Sequence, residues 1–345
     1  MRRRWVLGAA AAVGAGVPLG LWAQPNPDKH RATLATTGWA HMPHLPLVLA
    51  WQLGFFRAEG LQVDPLDITD TGPSAAQVQA GDPPLVWVAP FEQVLNWRAQ
   101  GVPVTAFAQV TRTPQVVLGV STRLTPADLG ASSWSDRPVG VLSLHSPGHQ
   151  VARLWLAQAG VPALGVPFQE LGTVQAAVTA LRSGRVDAVC VPDPAATALE
   201  QEGALRVLLD TRVPAQHDRL YGGVVPGHCL VAHADVLRQH APACSALVHG
   251  LVHALHWLRT AGPADLVRAV PETHFHGDRA VYLAAFNKTR QALSTDGLIP
   301  VQAPANARRA WLLSAAGAAG AAAVPDASVA YTNAWVREAK ARFRV

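Results

Sequence analysis

The sequence predicts an α/β protein of two lobes, each a mostly parallel sheet flanked by helices, with two crossing segments as the hinge between them. Three observations carry this. A pattern of alternating strand and helix signals occurs twice, from Arg31 to Pro90 and again from Arg137 to Pro194. Each copy breaks its helices at glycine and runs its third strand into proline. The 345 residues leave room for two domains of ordinary size, and half are hydrophobic while only 15% are charged, so a large core is within reach. Strands that alternate with helices form parallel sheets. Ligands on such sheets bind beyond the carboxyl ends of the strands. Two facing units therefore predict one ligand, held in the cleft between them.

Residues 1–23 read as an export signal. Arg3 and Arg4 precede a Gly/Ala-rich apolar stretch that ends at Trp22, and Leu21-Trp22-Ala23 suits cleavage before Gln24. The paired arginines are similar to a twin-arginine signal, with the general secretory route as the alternative. Left uncut, residues 5–22 have about the minimum length for a membrane span. No cysteine follows the apolar run, which excludes a lipid anchor there.

The first unit opens with an apolar strand at 32–37 that ends in a polar turn. A segment of helical period at 47–54 stops at Gly54, and a second strand covers 61–68. A loop carrying Thr71 and Gly72 leads into a helix that ends at Gly81, and the third strand is 85–90. The second unit repeats the order: strand 139–144, helix 147–160, strand 166–171, the loop Gly172-Thr173, a helix ending at Gly184, and strand 186–192. Residues 104–110 and 115–121 read as strands, with 111–114 as the outgoing connection. A further strand covers 204–209, and the return lies near 210–214. Residues 213–227, rich in Pro and Gly, read as a crossing segment. Beyond Asp235 the pattern is helical, at 246–258, 264–270, 279–293 and 329–341. Lobe I is then 24–114 plus 213–345, and lobe II is 115–212.

The formal charge of +5 misleads. Without Arg2, Arg3 and Arg4 the 28 basic residues fall to 25 against 23 acidic ones, a balance of +2. No basic run or basic-aromatic stripe remains, so nucleic-acid binding has no support. Cys229 and Cys244 are a possible disulfide in an oxidising compartment, and three unpaired buried thiols are the alternative. Among the 14 histidines, His249, His253 and His256 fall on one helical stripe, and His145 and His149 stand four apart. Zinc sites use such spacings, but no Cys or carboxylate completes a set. The stripe reads as a solvated face, and neither a metal nor a cofactor is expected.

The run Leu47-Val48-Leu49-Ala50-Trp51-Gln52-Leu53-Gly54-Phe55-Phe56-Arg57-Ala58-Glu59-Gly60-Leu61 carries a resemblance. With Ala80-Gly81-Asp82, Gly101-Val102-Pro103-Val104, Arg137-Pro138-Val139-Gly140-Val141 and Leu181-Arg182-Ser183-Gly184, it resembles the substrate-binding proteins of ABC importers. The branch is the one that binds nitrate, sulfonates, taurine or thiamine-precursor pyrimidines. The resemblance implies a type II periplasmic-binding-protein fold and no catalysis. It also implies a periplasmic, monomeric receptor that closes over a small organic solute and delivers it to a permease in the inner membrane. A sensing lobe for a membrane signalling protein and a pyrimidine-precursor synthase are the other readings on this fold. Trp39 followed by His44-Leu45-Pro46-Leu47 is similar to the opening of the pyrimidine binders, although their asparagine is missing here.

The site candidates sit where strands end. Trp39 offers a ring for stacking on a flat ligand, or packs beneath its loop. His41 and His44 offer hydrogen bonds, and His44 also suits a cap on the first helix. Thr71-Gly72-Pro73-Ser74 and Ser146-Pro147-Gly148-His149 are two helix starts, each with proline in its first turn. Their free N–H groups suit a carboxylate, sulfonate or phosphate oxygen; Thr71, Gly72, Ser74, Ser146, Gly148 and His149 are the residues named. Ala89 and Glu92 leave the third strand of lobe I. Asp193 occupies the matching place in lobe II, either facing the ligand or capping the next helix.

Overall fold

The computed structural model describes residues 30–68, 85–125, 131–161, 165–315 and 327–344. The chain first lays down β1 (His30–Thr36), α1 (Leu45–Gln52), α2 (Phe55–Ala58), β2 (Leu61–Asp67), β3 (Leu85–Pro90), α3 (Phe91–Ala99) and β4 (Val104–Gln109). It crosses into β5 (Val116–Ser121), β6 (Val139–Val141), α4 (Pro147–Gln158), β7 (Phe168–Glu170), α5 (Val174–Ser183), β8 (Ala188–Pro192), α6 (Ala195–Gln201) and β9 (Leu205–Asp210). After α7 (Pro214–Tyr221) it returns as β10 (His228–His233). It then ends in α8 (Ala234–Gln239), α9 (Ala241–Thr260), α10 (Pro263–Ala269), α11 (Arg279–Thr289), α12 (Ala303–Ala315) and α13 (Ala334–Phe343).

Two sheets result, ordered β2-β1-β3-β10-β4 and β7-β6-β8-β5-β9. In each, the three strands of the repeated unit pair in parallel: β1 with β2 and β3, β6 with β7 and β8. A strand beside a crossing is inserted next to them, β10 or β5, and runs antiparallel to both neighbours. The sheets are therefore mixed, with the duplicated parallel units intact inside them. Parallel strands covered by helices on both faces must be apolar throughout. Val86-Trp87-Val88-Ala89 of β3 and all of β8 are buried in this way.

Three hydrophobic clusters hold the fold. One packs α1, α2, α9 and α13 against the first sheet, around Leu34, Leu247, Leu251 and Val336. The second runs from the first sheet through α3, α4 and α12 to the second sheet and contains Trp87, Trp97 and Trp134. The third lies under α5 and α6. Each fully buried Leu or Phe in these clusters contributes about 1.5–3 kcal/mol of burial.

Several elements fall where the sequence pattern marks none, α3 among them. The Pro/Gly-rich crossing at 213–227 holds α7, started by Pro214 and followed by left-handed Gly222. β10 follows at once, and α12 packs on both α3 and α4. The histidine stripe is not a solvated face. His249 is buried between Glu59 and Arg342, and its ring meets Phe343 edge-on. His253 packs on Phe55 and Phe343, and His256 alone is exposed. All three cysteines are free and buried; Cys229 belongs to the second cluster and Cys244 to the first. The export segment, the Thr71, Gly72 and Ser74 loop and most of the Ala/Gly run at 315–324 lie outside the described residues. Among the described residues no helix is long and apolar enough to cross a membrane.

Candidate functional site

A cavity of about 460 Å³ lies at the carboxyl ends of the parallel strands, walled by both halves of the chain. From the first half come Thr37, His41 and His44 after β1, Trp87 and Ala89 of β3, and Gln93 and Trp97 of α3. The second half supplies Leu142, His145, Ser146, Pro147 and Gly148 between β6 and α4, with Cys190 and Pro192 at the end of β8. Pro114, Val116 and His228 complete it from the crossings.

The turn after β1 is fixed by its neighbour strand. Asp67, at the end of β2, accepts the backbone N–H groups of Gly38 (2.7 Å) and Trp39 (3.2 Å). Gly38 has φ +80°, and a Cβ there would fall 2.1 Å from the His41 ring, so only glycine lets that ring fold back toward the cavity. His44 Nδ1 sits 2.9 Å from the Gly38 carbonyl, and its ring stands edge-on to His228 with centroids 5.4 Å apart. The second half repeats the device. Glu170, at the end of β7, accepts the Leu144 N–H at 2.6 Å. Ser146 then caps α4 by accepting from His149 N–H at 3.3 Å, while its hydroxyl donates to the Ser143 carbonyl at 2.7 Å. At Gly148 a Cβ would lie 2.7 Å from the Cys190 carbonyl oxygen, so glycine allows the helix start to approach β8.

Among the described residues, no Asp, Glu, Lys or Arg lines the cavity. Burial lowers the proton affinity of three histidines on its wall: His41 falls to about 4, and His44 and His228 also lie below the usual imidazole range. At neutral pH these rings are uncharged.

The structure brings His41, Ala89, Ser146 and Gly148 together on the cavity wall. His44 stands at the start of α1 but makes no side-chain cap; its ring lines the cavity instead. Trp39 is half-buried and packs against the first core cluster, away from the cavity lining. Glu92 points into the protein, where burial raises its carboxyl to about 7 and Tyr221 hydrogen-bonds to it. His149 turns behind the wall: Nδ1 is 2.6 Å from the Leu144 carbonyl, and the ring meets Phe168 edge-on. Asp193 is fully buried. One oxygen accepts the Thr197 N–H of α6 (2.9 Å) and the other the Arg212 guanidinium (2.9 Å), so its side chain serves the start of α6, with Pro194 and not Asp193 as the N-cap residue. Arg212 also pairs with Asp210 and Glu200, both at 2.7 Å.

Trp87, Trp97, Gln93, His145, Cys190 and His228 were not anticipated. The run Leu85–Pro90 carried the signal for Trp87: in a strand, side chains alternate between faces, so a strand-tip rule must look one or two residues back. His228 was hidden because β10 was.

The NMT1/THI5-like family model matches residues 41–260. A solved structure of a protein from Bordetella bronchiseptica RB50 shares 33% identity and a TM-score of 0.82, over 92% of this chain and 99% of that one. The periplasmic nitrate-binding protein NrtA from Synechocystis PCC 6803 superposes with TM-score 0.71 at 15% identity, covering 91% and 89%. The ligand-binding component of an ABC-type import system from Staphylococcus aureus, solved with zinc bound, gives TM-score 0.67 at 12% identity, covering 90% and 99%. Sulfonate-binding proteins and a desulfurization enzyme share the fold at 16% identity or less. The architecture is the two-lobed periplasmic-binding-protein fold. No curated protein matches the chain.

Proposed function

Because the chain belongs to the NMT1/THI5-like family, we propose that it is a periplasmic receptor for a small organic solute. Closing over the solute, it hands it to the inner-membrane permease of an ABC importer. The observation that carries this reading is the cavity itself, about 460 Å³ in volume and built from the strand tips of both halves. Lobe I (24–114 plus 213–345) and lobe II (115–212) then move as units, with the chain between β4 and β5 and between β9 and β10 as the hinge. Residues 1–23 direct export, and the mature receptor acts as a monomer without catalysis.

Of the solutes left open by the sequence, the pyrimidine-like heterocycle fits the wall better than a sulfonate or a carboxylate. An anion buried against uncharged side chains keeps its desolvation cost without a counter-charge. Among the described residues three helix starts border the cavity, those of α1, α3 and α4, and at α4 Ser146 already occupies the His149 N–H. Two indoles, Trp87 and Trp97, give the apolar surface that a ring requires.

A thermal-shift screen of pyrimidines, aromatic amides, sulfonates, taurine and nitrate tests the reading. A true ligand at a hundredfold excess over its Kd stabilises the protein by about 2.7 kcal/mol. Absence of a shift with every small solute would contradict the receptor assignment.

A further inference from the structure

Two buried nitrogens on the first-half wall lack partners among the described residues: His44 Nε2 and Trp87 Nε1. The two side chains reach the same cavity from adjoining parts of the first half, Trp87 from β3 and His44 from the segment that follows β1. Their hydrogen-bonding roles are opposite, and the surroundings fix both. The Gly38 carbonyl can only accept, so the His44 Nδ1 that sits 2.9 Å away from it carries the ring proton. Burial keeps that ring neutral, which leaves Nε2 as a bare lone pair. An indole N–H, in contrast, only donates. A buried donor or acceptor left unmet costs about 1–3 kcal/mol. Both residues line the cavity, and the cheapest way to meet both needs is a molecule bound in it.

We infer that His44 and Trp87 set the specificity of the site. They select an uncharged solute that presents a hydrogen-bond donor to His44 Nε2 beside an acceptor for Trp87 Nε1. This rests on the receptor reading and narrows it. Primary carboxamides, lactams and aminated heteroaromatic rings carry such a pair. Nitrate, sulfonates and carboxylates carry acceptors alone, and would set a lone pair against the His44 lone pair. Because both groups belong to the first half, the solute docks there before the second half closes.

Calorimetry on the full chain tests this with nicotinamide and cytosine as donor–acceptor probes. The comparison probes are N,N-dimethylnicotinamide and 4-dimethylaminopyrimidine, which lack the donor, together with nicotinate, nitrate and methanesulfonate. The inference expects at least one donor–acceptor probe to bind and its donor-free or anionic counterpart to bind at least about tenfold more weakly. Trp87→Phe and His44→Phe should each weaken the bound probe about 5- to 30-fold. Equal affinity for a donor-free probe, or binding of nitrate or methanesulfonate with no donor–acceptor probe bound, overturns the inference and leaves the receptor reading standing. Silence across every probe sinks the receptor reading and this inference with it. Nitrogen-15 spectra of His44 in the ligand-free protein give a second check that needs no ligand and no variant. A proton on Nε2 instead of Nδ1 contradicts the assignment.

Discussion

The two halves share a scaffold and differ in the chemistry they hang on it. Each sheet places three parallel strands beside an inserted antiparallel one, and each uses a carboxylate at the end of its edge strand to pin the turn facing the cavity. Asp67 does this for the turn at Gly38 and Glu170 for the turn at Leu144. The first half then offers the cavity side chains with unmet nitrogens, His44 and Trp87. The second half brings the exposed His145 and an engaged helix start: Ser146 is bonded, Gly148 abuts the β8 backbone, and behind them Arg212 ties Asp193, Glu200 and Asp210 together. The difference teaches that duplication fixes where the cavity lies, while unpartnered cavity-lining nitrogens gather in one half and a buried ion-pair network in the other.

Removing Arg212 tests the rigid half most severely. Arg212→Ala strands the buried Asp193 carboxylate and should cost about 3–5 kcal/mol in denaturant unfolding. Arg212→Met should cost less when Asp193→Asn accompanies it. A loss under 1 kcal/mol for the single Ala variant would show that the network is not a structural anchor.

Trp39→Ala separates core from cavity in the first half. Since Trp39 packs on the first cluster, the variant should lose about 1–3 kcal/mol of stability and keep its ligand affinity. Lost affinity at unchanged Tm would return Trp39 to the site. Gly148→Ala should be comparable, at about 1–3 kcal/mol, because its Cβ meets backbone oxygen and no side chain can yield.

The pH dependence has two arms of opposite sign. His41 and His149 are lowered from 6.5 to about 4 by burial, so the fold favours their neutral forms and stability is lost as pH falls from 6.5 toward 4. Glu92 is raised to about 7, chiefly by burial, so the fold favours its protonated form and stability is lost as pH climbs from 4.5 through 7. In Glu92→Gln the Tm-against-pH curve should therefore lose this decline between about pH 4.5 and 7. An unchanged slope there would remove Glu92 as its source.

The smallest effect concerns the contact between α6 and α11. Lys288 bonds Glu200 at 3.0 Å, and both are partly exposed. Lys288→Ala should cost no more than about 1 kcal/mol, and less in high salt.

The sequence made the repeated units legible because strand, glycine stop and proline recur in one order, and local chemistry sets those signals. Ser146 and Thr173 cap α4 and α5 where the pattern puts helix starts. What stayed hidden was decided by tertiary contact. β10, with histidine at both ends, forms because β3 and β4 flank it on either side. α12 has a weak apolar stripe and is held by α3 and α4. At the site, four of the residues that chain position picked, His41, Ala89, Ser146 and Gly148, line the cavity. It gave no view of side-chain direction, which turns Glu92 to Tyr221 and Trp87 to the cavity.

The central claim, a cleft that shuts on its solute, is tested most directly by a spin-label distance. One label goes on each half, at Leu53→Cys and Ser183→Cys; both positions are exposed, whereas the three native thiols are buried. Binding of the strongest probe should shorten and narrow the distance distribution. A distribution that does not change while calorimetry shows the probe bound would contradict the account.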